Sequence, residues 1–388
     1  MRFYLSDQSN PVDKRHALWK KTLPANRQGN AQIDDGELKM GLTYGEYFSA
    51  VEAFVGSCPE LFNQANAPSF DNVSIFLEKH GAFYHPSRIA VQRGDHLDQY
   101  VLNAAFSEPG RQYLENEYNT LKMLEEKYAY AFFPRVFACQ EISVDAARTV
   151  SMFAGEWFGS FHEFHVSGMD RNNSGVARVW DPVNTDCFLS EDQAYHVYAQ
   201  ATKILTACYD MQRFEHVAAW HHAAGDFVVN LDMADKPQVK LVTVRRYAPM
   251  LTIGEKSAEA VLNGLLLFLL DLSIHMRLDR LDGVKEIRWL DDFVVRATLS
   301  GFFQGLALQL EEQHIPDGFI DGYKRFLADI DLATLQDLFR AIAGRLPKGS
   351  ADTPIVQSHI EKHIHTFFHA LQSPRQVIFS LETGCVND

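Results

Sequence analysis

The sequence predicts an α+β protein in which a sheet-rich N-terminal region is followed by a larger, mainly helical C-terminal region. Short β-branched and apolar runs, separated by glycine and proline, dominate residues 73–153. Apolar residues at helical spacing dominate the chain after Ser190. A third observation is a pair of short apolar runs around Asp232–Pro237, which predicts a β-hairpin inside the helical region.

Composition limits the classes of protein to which the chain can belong. It has 388 residues, 46% of them hydrophobic, which is enough for one large or two modest domains. The formal net charge of −14 argues against a binder of duplex nucleic acid, which needs a basic face for phosphate contacts. The five cysteines are scattered without CxxC spacing, so neither a disulfide framework nor a zinc ribbon is predicted and a cytoplasmic location is expected.

No segment is predicted to cross a membrane or to direct export. The N-terminal residues contain no apolar stretch of signal-peptide length. The most apolar run, Val261–Leu272, is too short and too interrupted to span a bilayer, so it is predicted to be a buried helix.

The N-terminal region is predicted to comprise an arm and a helix over residues 1–66. The first forty residues are polar and rich in turn formers, which predicts an arm that is laid over the surface or partly mobile. Leu42–Phe62 has apolar residues at helical spacing and predicts a helix. Two further regions are then expected, a β-rich one over residues 67–158 and a helical one over residues 159–388.

The β-rich region is predicted to contain three strands, a helix and two further strands. Turn-forming glycines and prolines separate the strand candidates, as expected of an antiparallel meander. In chain order the predicted elements are strands Val73–Leu77, Arg88–Gln92 and Gln99–Phe106, helix Glu108–Tyr128, and strands Arg135–Ile142 and Thr149–Phe153.

The region after Ser190 is predicted to be helical except for one hairpin, Phe227–Leu231 paired with Gln238–Arg245. Ser190 is a good N-cap for the first of these helices, because its hydroxyl can accept a backbone N–H. The predicted helices are Ser190–Gln212, Ser257–Leu278, Asp291–Gln313, Asp317–Leu327, Leu332–Arg345 and Thr353–Leu371.

The segment Trp220–Arg246 carries the strongest functional signal. A histidine-rich turn closes on Gly225-Asp226 and leads directly into the predicted hairpin. This arrangement resembles the "H-G-D-x-x-x-x-N" catalytic loop and the following metal-binding strand of aminoglycoside-phosphotransferase-like and lipopolysaccharide-kinase-like proteins. The resemblance implies a two-lobe kinase-like fold that binds ATP and Mg²⁺, with Asp226 at the substrate hydroxyl. One of the preceding histidines, His221 or His222, could brace the loop through backbone hydrogen bonds, and His222 is the candidate catalytic residue. The alternative is that Asp226 simply caps the turn.

The β-rich region carries a second part of the resemblance. Gln112–Leu124 looks like the "NE-aromatic-xxL" helix of the same proteins, which makes Glu117 the counterpart of the helix glutamate that pairs with a strand lysine. Val150–Phe158 looks like the strand and hinge that present backbone groups to adenine, which places Glu156 at the nucleotide. The similarity spans about Val73–Leu327.

The departures from the family fall on the charged groups of phosphoryl transfer. Asn103 stands where the family has its phosphate-binding lysine, and Arg245 stands where the metal-binding aspartate is expected. The loop asparagine would be Asn230, which is one residue closer to Asp226 than the family spacing. The transition state would therefore lack most of its electrostatic stabilisation.

Three functions are compatible with these residues. The favoured one is a kinase-like protein of atypical or lost phosphotransferase activity, a pseudokinase, which binds a small or phosphate-containing ligand, a nucleotide or a partner in the cleft between the lobes. If Arg245 supplied the positive charge that Mg²⁺ normally brings, the protein would be an unusual enzyme or a nucleotide binder. The favoured interpretation is a binding scaffold without transfer. The alternatives are an active sugar or aminoglycoside-type phosphotransferase and a histidine-ligated metallohydrolase.

The histidine and aspartate clusters outside this loop favour structural roles. His162 and His165 are expected on one face of a helical turn, where capping or lining a cleft is a better interpretation than metal binding. The spaced histidines of the C-terminal helix, His359, His363, His365 and His369, are better explained by a surface amphipathic helix. The acid-rich segment that includes Asp279, Asp282, Asp291 and Asp292 is expected to be a solvated connection laced with salt bridges.

One geometric prediction follows from the hairpin. Asp226 and Arg245 flank its two strands and should therefore pair. The guanidinium is expected to lower the pKa of the Asp226 carboxyl and so make it a poor proton acceptor.

Overall fold

The computed structural model of the chain divides into two compact units, Met1–Gly159 and Ser160–Asp388. It describes residues 1–5, 10–24, 41–62, 72–81, 83–169, 175–181, 187–218, 220–222, 225–232, 237–251, 257–283, 285–312 and 314–372. Within these residues the protein contains both sheets and helices, so the predicted α+β class is confirmed.

A six-stranded sheet forms the centre of the first unit. Its strand order is β1-β2-β3-β4-β6-β5, and every neighbouring pair is antiparallel except β1 with β2. All five strands predicted between residues 73 and 153 are present. The strands are β1 Arg2–Leu5, β2 Val73–Leu77, β3 His85–Arg93, β4 His96–Ala105, β5 Val136–Ser143 and β6 Thr149–Glu156.

Helices pack on this sheet because their apolar faces match its alternating side chains. Thr43 starts α1 (Tyr44–Ser57) with a capping box, in which its hydroxyl and the Glu46 carboxylate satisfy exposed backbone N–H groups. Apolar residues of α1 and of the sheet form one buried core. Helix α2 (Pro59–Phe62) follows, and α3 (Glu108–Lys127), capped by Ser107, packs against β4, β5 and β6.

The N-terminal arm is more integrated than the sequence predicts. Arg2–Leu5 joins the sheet as β1, parallel to β2, and Val12 and Leu23 are buried in the core of the unit. The short 3₁₀ turn Ala17–Lys20 adds the indole of Trp19, which packs near Phe48 of α1. The arm is mainly polar in composition, so its few buried apolar residues did not stand out in the sequence. Residues 25–40 of the predicted arm lie outside the described residues.

The predicted hairpin is present in the second unit. Strand β10 (Phe227–Asn230) pairs antiparallel with β11 (Gln238–Leu241), with Phe227 opposite Leu241 and Asn230 opposite Gln238. It is part of a four-stranded sheet of order β11-β10-β7-β8, with β7 at His162–Met169 and β8 at Gly175–Val179. Residues 233–236 of the predicted turn lie outside the described residues.

The prediction that everything after Ser190 is helical apart from one hairpin is wrong, and β7 and β8 lie in the part of region 159–388 that precedes Ser190. Besides β7 and β8, strand β9 (Glu215–Ala218) pairs with β12 (Arg246–Pro249), and β13 (Leu278–Arg280) pairs with β14 (Ile287–Trp289). These pairings are short or join distant segments, so they give little periodic signal in the sequence.

The helices predicted in the second unit are all present. The glycines Gly301 and Gly305 allow two of them to approach closely, since an added Cβ would lie within 2.0 Å and 2.6 Å of atoms of the partner helix. The helices are α4 Glu191–Ala207, α5 Ala258–His275, α6 Phe293–Glu311, α7 Phe319–Ala328, α8 Leu332–Gly344 and α9 Asp352–Gln372. The two that approach at these glycines are α4 and α6.

Two of these helices, α5 and α6, are long and apolar enough to cross a bilayer by length and composition alone. About half of each apolar window is buried inside the protein, 50% in α5 and 56% in α6. The run Val261–Leu272, predicted to be a buried helix, lies within α5 and contributes several buried leucines to the core.

Candidate functional site

The hairpin fixes the position of Asp226 at the start of β10. The backbone N–H of Val242, just after β11, donates to the Asp226 carbonyl oxygen at 2.8 Å. The preceding residue, Gly225, has φ +68°, a conformation that favours glycine. An added Cβ at Gly225 would also lie 2.6 Å from the carboxylate carbon of Glu163. Both features show that this loop conformation requires glycine at position 225.

Asp226 and Arg245 form the predicted pair. The Arg245 guanidinium donates through Nη2 to Asp226 Oδ1 at 2.6 Å and through Nη1 to Oδ2. The backbone N–H of His221 also donates to Oδ2, at 2.8 Å. Asp226 is fully buried, whereas the Arg245 side chain keeps 22% of its surface exposed. The carboxylate is therefore engaged by three donors.

The predicted direction of the Asp226 pKa is wrong. Burial raises the pKa of this carboxyl above its ordinary value, because the loss of hydration outweighs the Arg245 guanidinium and the His221 N–H. The sequence shows the possible partner of an aspartate, but it does not show how deeply the aspartate is buried.

His222 is enclosed by aromatic rings. The centroids of Tyr198, Trp220 and Phe227 lie 5.1, 5.5 and 5.5 Å from its ring centroid. Neither ring nitrogen has a hydrogen-bond partner among the described residues. Burial lowers the pKa of His222 to about 3. The geometry gives this predicted catalytic residue a packing role, although its backbone carbonyl does brace the loop by accepting from Gly225 N.

His221 faces a different partner. Its Nε2 lies 3.9 Å from Oδ1 of Asp352, the first residue of α9. Burial lowers the pKa of His221 and outweighs the nearby carboxylates of Asp352 and Asp279, which raise it. Asp352 was not among the predicted site residues, because no local pattern connects it to His221, 131 residues earlier in the sequence.

Asn230 does not lie beside Asp226. It is the last residue of β10, and its side-chain Oδ1 accepts the backbone N–H of Asp232 at 2.7 Å. This bond is the type with which asparagine stabilises turns. Three strand residues separate Asn230 from Asp226, a rise of roughly 13 Å between their Cα atoms. The predicted role of Asn230 at a cofactor stays a prediction.

In the first unit, Asn103 and Glu117 lie on the same side of the sheet. Asn103 is opposite Phe153 in the β4–β6 register, and Phe153 contacts Tyr118 of α3 at 5.9 Å between ring centroids. Cross-strand partners share a face, so Asn103 faces the helix that carries Glu117. Both residues are buried. Their predicted role at a nucleotide stays a prediction.

Glu117 has a partner that was not predicted from the sequence, Tyr84. The hydroxyl of Tyr84 donates to Glu117 Oε2 at 2.8 Å. In the resembled family the helix glutamate pairs with a strand lysine, but the residue that stands at that lysine position is Asn103. A neutral phenol therefore engages Glu117.

Glu156 ends β6 beside Arg135. Its Oε2 lies 3.5 Å from Nε of Arg135, and the Glu156 backbone N–H donates to the Arg135 carbonyl at 2.8 Å. Both side chains are partly exposed. The predicted role of Glu156 at adenine is untested by these contacts.

A second charged cluster surrounds Asp279, which was predicted to lie in a solvated connection. Asp279 is instead fully buried. Its Oδ2 accepts the backbone N–H of Val166 at 2.9 Å, and its Oδ1 lies 3.5 Å from Nδ1 of His165. His165 Nε2 lies 3.6 Å from Glu163. Despite burial, the two carboxylates raise the pKa of His165 to about 9, so the imidazole is charged at neutral pH.

The helical turn predicted for His162 and His165 is wrong, because both residues lie on strand β7. Residues three apart on a strand point to opposite faces. His165 therefore lies against Asp279, whereas His162 approaches Asp181 at 3.9 Å. The other three acidic side chains of the segment do form salt-bridged or more exposed connections, as in Asp282 with Lys285 and Asp292 with Arg277.

The C-terminal histidines do not assemble a metal centre in the part of the chain that the structure describes, where no group of three or more histidine, cysteine or acidic side chains could hold a metal ion. His363 is fully buried, with Nε2 3.1 Å from the Ser273 hydroxyl. His359 stacks on Trp289 with ring centroids 5.3 Å apart. Helix α9 is thus packed on one side, and its histidines contribute to that packing.

Comparisons with known proteins give weak likenesses. No family model and no curated protein matches the chain. One solved structure, WaaP in complex with acyl carrier protein, is 12% identical with a TM-score of 0.28, over 70% of this chain and 90% of that one. Another, a Neurospora crassa complex of PAN2 with the pseudokinase and C-terminal part of PAN3, is 12% identical with a TM-score of 0.27, over 83% and 70% of the two chains. Likenesses this weak carry no information about chemistry at Asp226.

Proposed function

We propose that this protein is a kinase-like scaffold without efficient phosphoryl transfer, which binds a small or phosphate-containing ligand, a nucleotide or a partner. The observation that carries the proposal is the buried bidentate pair between Asp226 and Arg245. The sequence resemblance around Asp226 supports the kinase-like part. The strand–helix–strand order of the first unit agrees with it.

The pair opposes a role for Asp226 as a general base. A base must approach the substrate hydroxyl to within hydrogen-bond distance, about 2.6–3.2 Å. Asp226 is fully buried, and its two oxygens already accept from Arg245 and from the backbone of His221. A substrate would have to displace a guanidinium from a buried carboxylate, which is costly because each charge would lose its partner.

The same pair opposes a metal site of the family type. Magnesium needs oxygen ligands, and a guanidinium has only donors. Arg245 stands where the metal-binding carboxylate is expected, and it also pairs with the neighbouring carboxylate of Asp226. With Asn103 in place of the lysine, two cationic centres that neutralise the transferred phosphoryl group are missing from their expected positions.

A ligand with phosphate groups remains compatible with this arrangement. The Arg245 side chain is 22% exposed although it is bonded to Asp226. An arginine held rigidly by a carboxylate can still present part of its guanidinium to an anion, which it binds without metal. We therefore expect any nucleotide binding to be independent of Mg²⁺.

A thermal-shift titration of the full chain tests the proposal. ATP is added with Mg²⁺ and with EDTA, and ADP release is measured in the same samples. We expect no ADP release and no additional stabilisation by Mg²⁺. Any stabilisation by ATP should be lost in Arg245→Ala and retained in Arg340→Ala, which removes an arginine from an exposed ion pair of the same unit.

Two results would overturn the proposal. Mg²⁺-dependent ADP release that disappears in Asp226→Asn would establish an active phosphotransferase. Stoichiometric zinc that survives dialysis of the purified protein would favour the metallohydrolase alternative.

A further inference from the structure

The loop that joins β2 to β3 in the first unit is held against α3. Within it, the backbone N–H of Gly81 donates to the Tyr84 carbonyl at 3.1 Å. Phe83 stacks on Tyr113 of α3 with ring centroids 4.0 Å apart. Tyr84 then donates to Glu117 of the same helix. The conformation of this loop therefore determines whether the Tyr84 hydroxyl is bonded to Glu117.

Two histidines meet at the base of the loop. Nδ1 of His80 lies 3.0 Å from Nδ1 of His85. A hydrogen bond between two imidazole nitrogens needs one nitrogen with a proton and one without. His85 is buried and stacks on Phe106 with ring centroids 5.2 Å apart. His80 is half-buried, with its Nε2 3.4 Å from the Tyr44 hydroxyl.

The surroundings of the two rings disfavour positive charge. Helix α1 contributes the uncharged phenols of Tyr44 and Tyr47. The nearby carboxylate of Glu78, just beyond β2, is engaged by Arg88 of β3 at 2.8 Å. Lys79 precedes His80 directly and adds a like charge. An imidazolium here would lose water without gaining a dedicated carboxylate.

We propose that the His80–His85 contact is an acid-sensitive latch on the β2–β3 loop, closed at neutral pH and opened by protonation. In the closed latch one proton lies between the two Nδ1 atoms and both rings are neutral. A second proton cannot be accommodated between these atoms, and burial disfavours a positive charge on either ring. The latch acts in the first unit and does not depend on the ligand proposed above.

The direction of the effect follows from linkage. Burial lowers the pKa of His80, and burial together with His80 lowers the pKa of His85 to about 3. An opened loop would return both groups toward the ordinary histidine value, about 6.5. Protons therefore bind the open loop more readily, and the closed loop loses stability as the pH falls below 6.5. The structural consequence is release of the Tyr84–Glu117 bond in acid.

Hydrogen exchange of residues 77–86 in the full chain tests the latch, with rates at pH 7.5 and pH 5.0 corrected for intrinsic exchange. In the wild type we expect several-fold more opening at pH 5.0, up to about 30-fold for one group with an open-state pKa near 6.5. His80→Asn keeps an N–H donor for His85 but removes one of the two titrating rings, so its loop should open less in acid than the wild-type loop, and His85 accounts for the opening that remains. His80→Ala should be open at both.

The matched control is His96→Asn, which removes an imidazole that is 79% exposed on β4 of the same unit. It should open in acid like the wild type. Equal wild-type protection at the two pH values, or a His80→Asn loop that opens as the wild type does, would overturn the latch. Nucleotide is absent from the experiment, so a failure of the proposed function would leave this result unchanged.

Discussion

Asp226 and Asp279 are both fully buried in the second unit, yet the protein neutralises them in different ways. Asp226 is held by the Arg245 guanidinium and by one backbone N–H. Asp279 is held by His165 and by backbone N–H groups of Val166 and Arg280. Arginine stays charged at every accessible pH, whereas histidine can lose its proton.

The difference separates a fixed pair from a titratable one. The contribution of the Asp226–Arg245 pair to the free energy of unfolding should be lost when one partner is removed, but it should hardly change at alkaline pH. The contribution of the Asp279–His165 pair should be lost in both cases. An aspartate that transfers protons needs a partner that can leave its carboxylate free to bind a proton. Arg245 stays charged and therefore stays bonded to Asp226.

The largest effect should come from removing the cation of the fixed pair. Arg245→Met leaves the Asp226 carboxylate buried without its main partner, which should lower the free energy of unfolding by about 3–5 kcal/mol. Urea denaturation of the full chain measures this loss. Arg340→Met, which breaks an exposed ion pair, should change stability little. Similar losses for the two variants would contradict the fixed pair.

Removing the charge of the second aspartate should cost less. Asp279→Asn keeps the volume but loses one acceptor oxygen and the partner of His165, so we expect a loss of about 2–3 kcal/mol in the same denaturation assay. Asp282→Asn, in the same segment but with an exposed lysine partner, is the control and should be near neutral. An Asp279→Asn protein as stable as this control would mean that the buried carboxylate is not required.

Alkaline pH should weaken only the titratable pair. The folded pKa of His165 is raised to about 9, so its contribution is fully present below pH 6.5 and is lost as the pH rises through 9. At about 1.4 kcal/mol per unit of pKa difference, the loss is on the order of 3 kcal/mol. Denaturation at pH 6.5 and pH 9.5 should show a smaller decline in His165→Gln than in the wild type. His275, whose pKa is also raised to about 9 by Asp271, titrates in both proteins and cancels in this difference.

The smallest effect concerns the backbone that presents Asp226. Gly225→Ala combines a positive φ with a Cβ 2.6 Å from Glu163, whereas Gly318→Ala in the same unit has φ +77° and open space around the Cβ. Each should lose about 1 kcal/mol from the backbone alone. Gly225→Ala should lose roughly 1 kcal/mol more because Glu163 must move. Equal melting temperatures for the two variants would show that Glu163 does not restrict the conformation of the Gly225 loop.

The sequence predicted what depends on local pattern. Helical spacing located the helices of the second unit, and turn residues separated the five predicted strands of the first. Strand β7 was missed although residues 164–167 alternate between apolar and polar, because this alternation covers only four residues and the flanking histidines suggested a helical turn. Its pairing with β10 joins segments more than sixty residues apart, which no local pattern reveals.

The site was predicted only in part for the same reason. The pairing of Asp226 with Arg245 followed from the hairpin, but the rise of the Asp226 pKa depends on burial, which a tertiary contact determines. Asn230 was placed by counting residues along a loop motif, and the strand that begins at Phe227 carries it away from Asp226. The role of Tyr84 at Glu117 depends on a contact between residues 33 positions apart in the sequence.

A double-mutant cycle on Asp226 and Arg245 tests the central claim most directly. The free energy of unfolding is measured by urea denaturation for the wild type, Asp226→Asn, Arg245→Gln and the double variant. If the two side chains are committed to each other, the double variant should be more stable than the sum of the single losses predicts, by at least about 2 kcal/mol. Losses that add to within about 0.5 kcal/mol would contradict the account, because they would leave the Asp226 carboxylate available to a metal ion or a substrate.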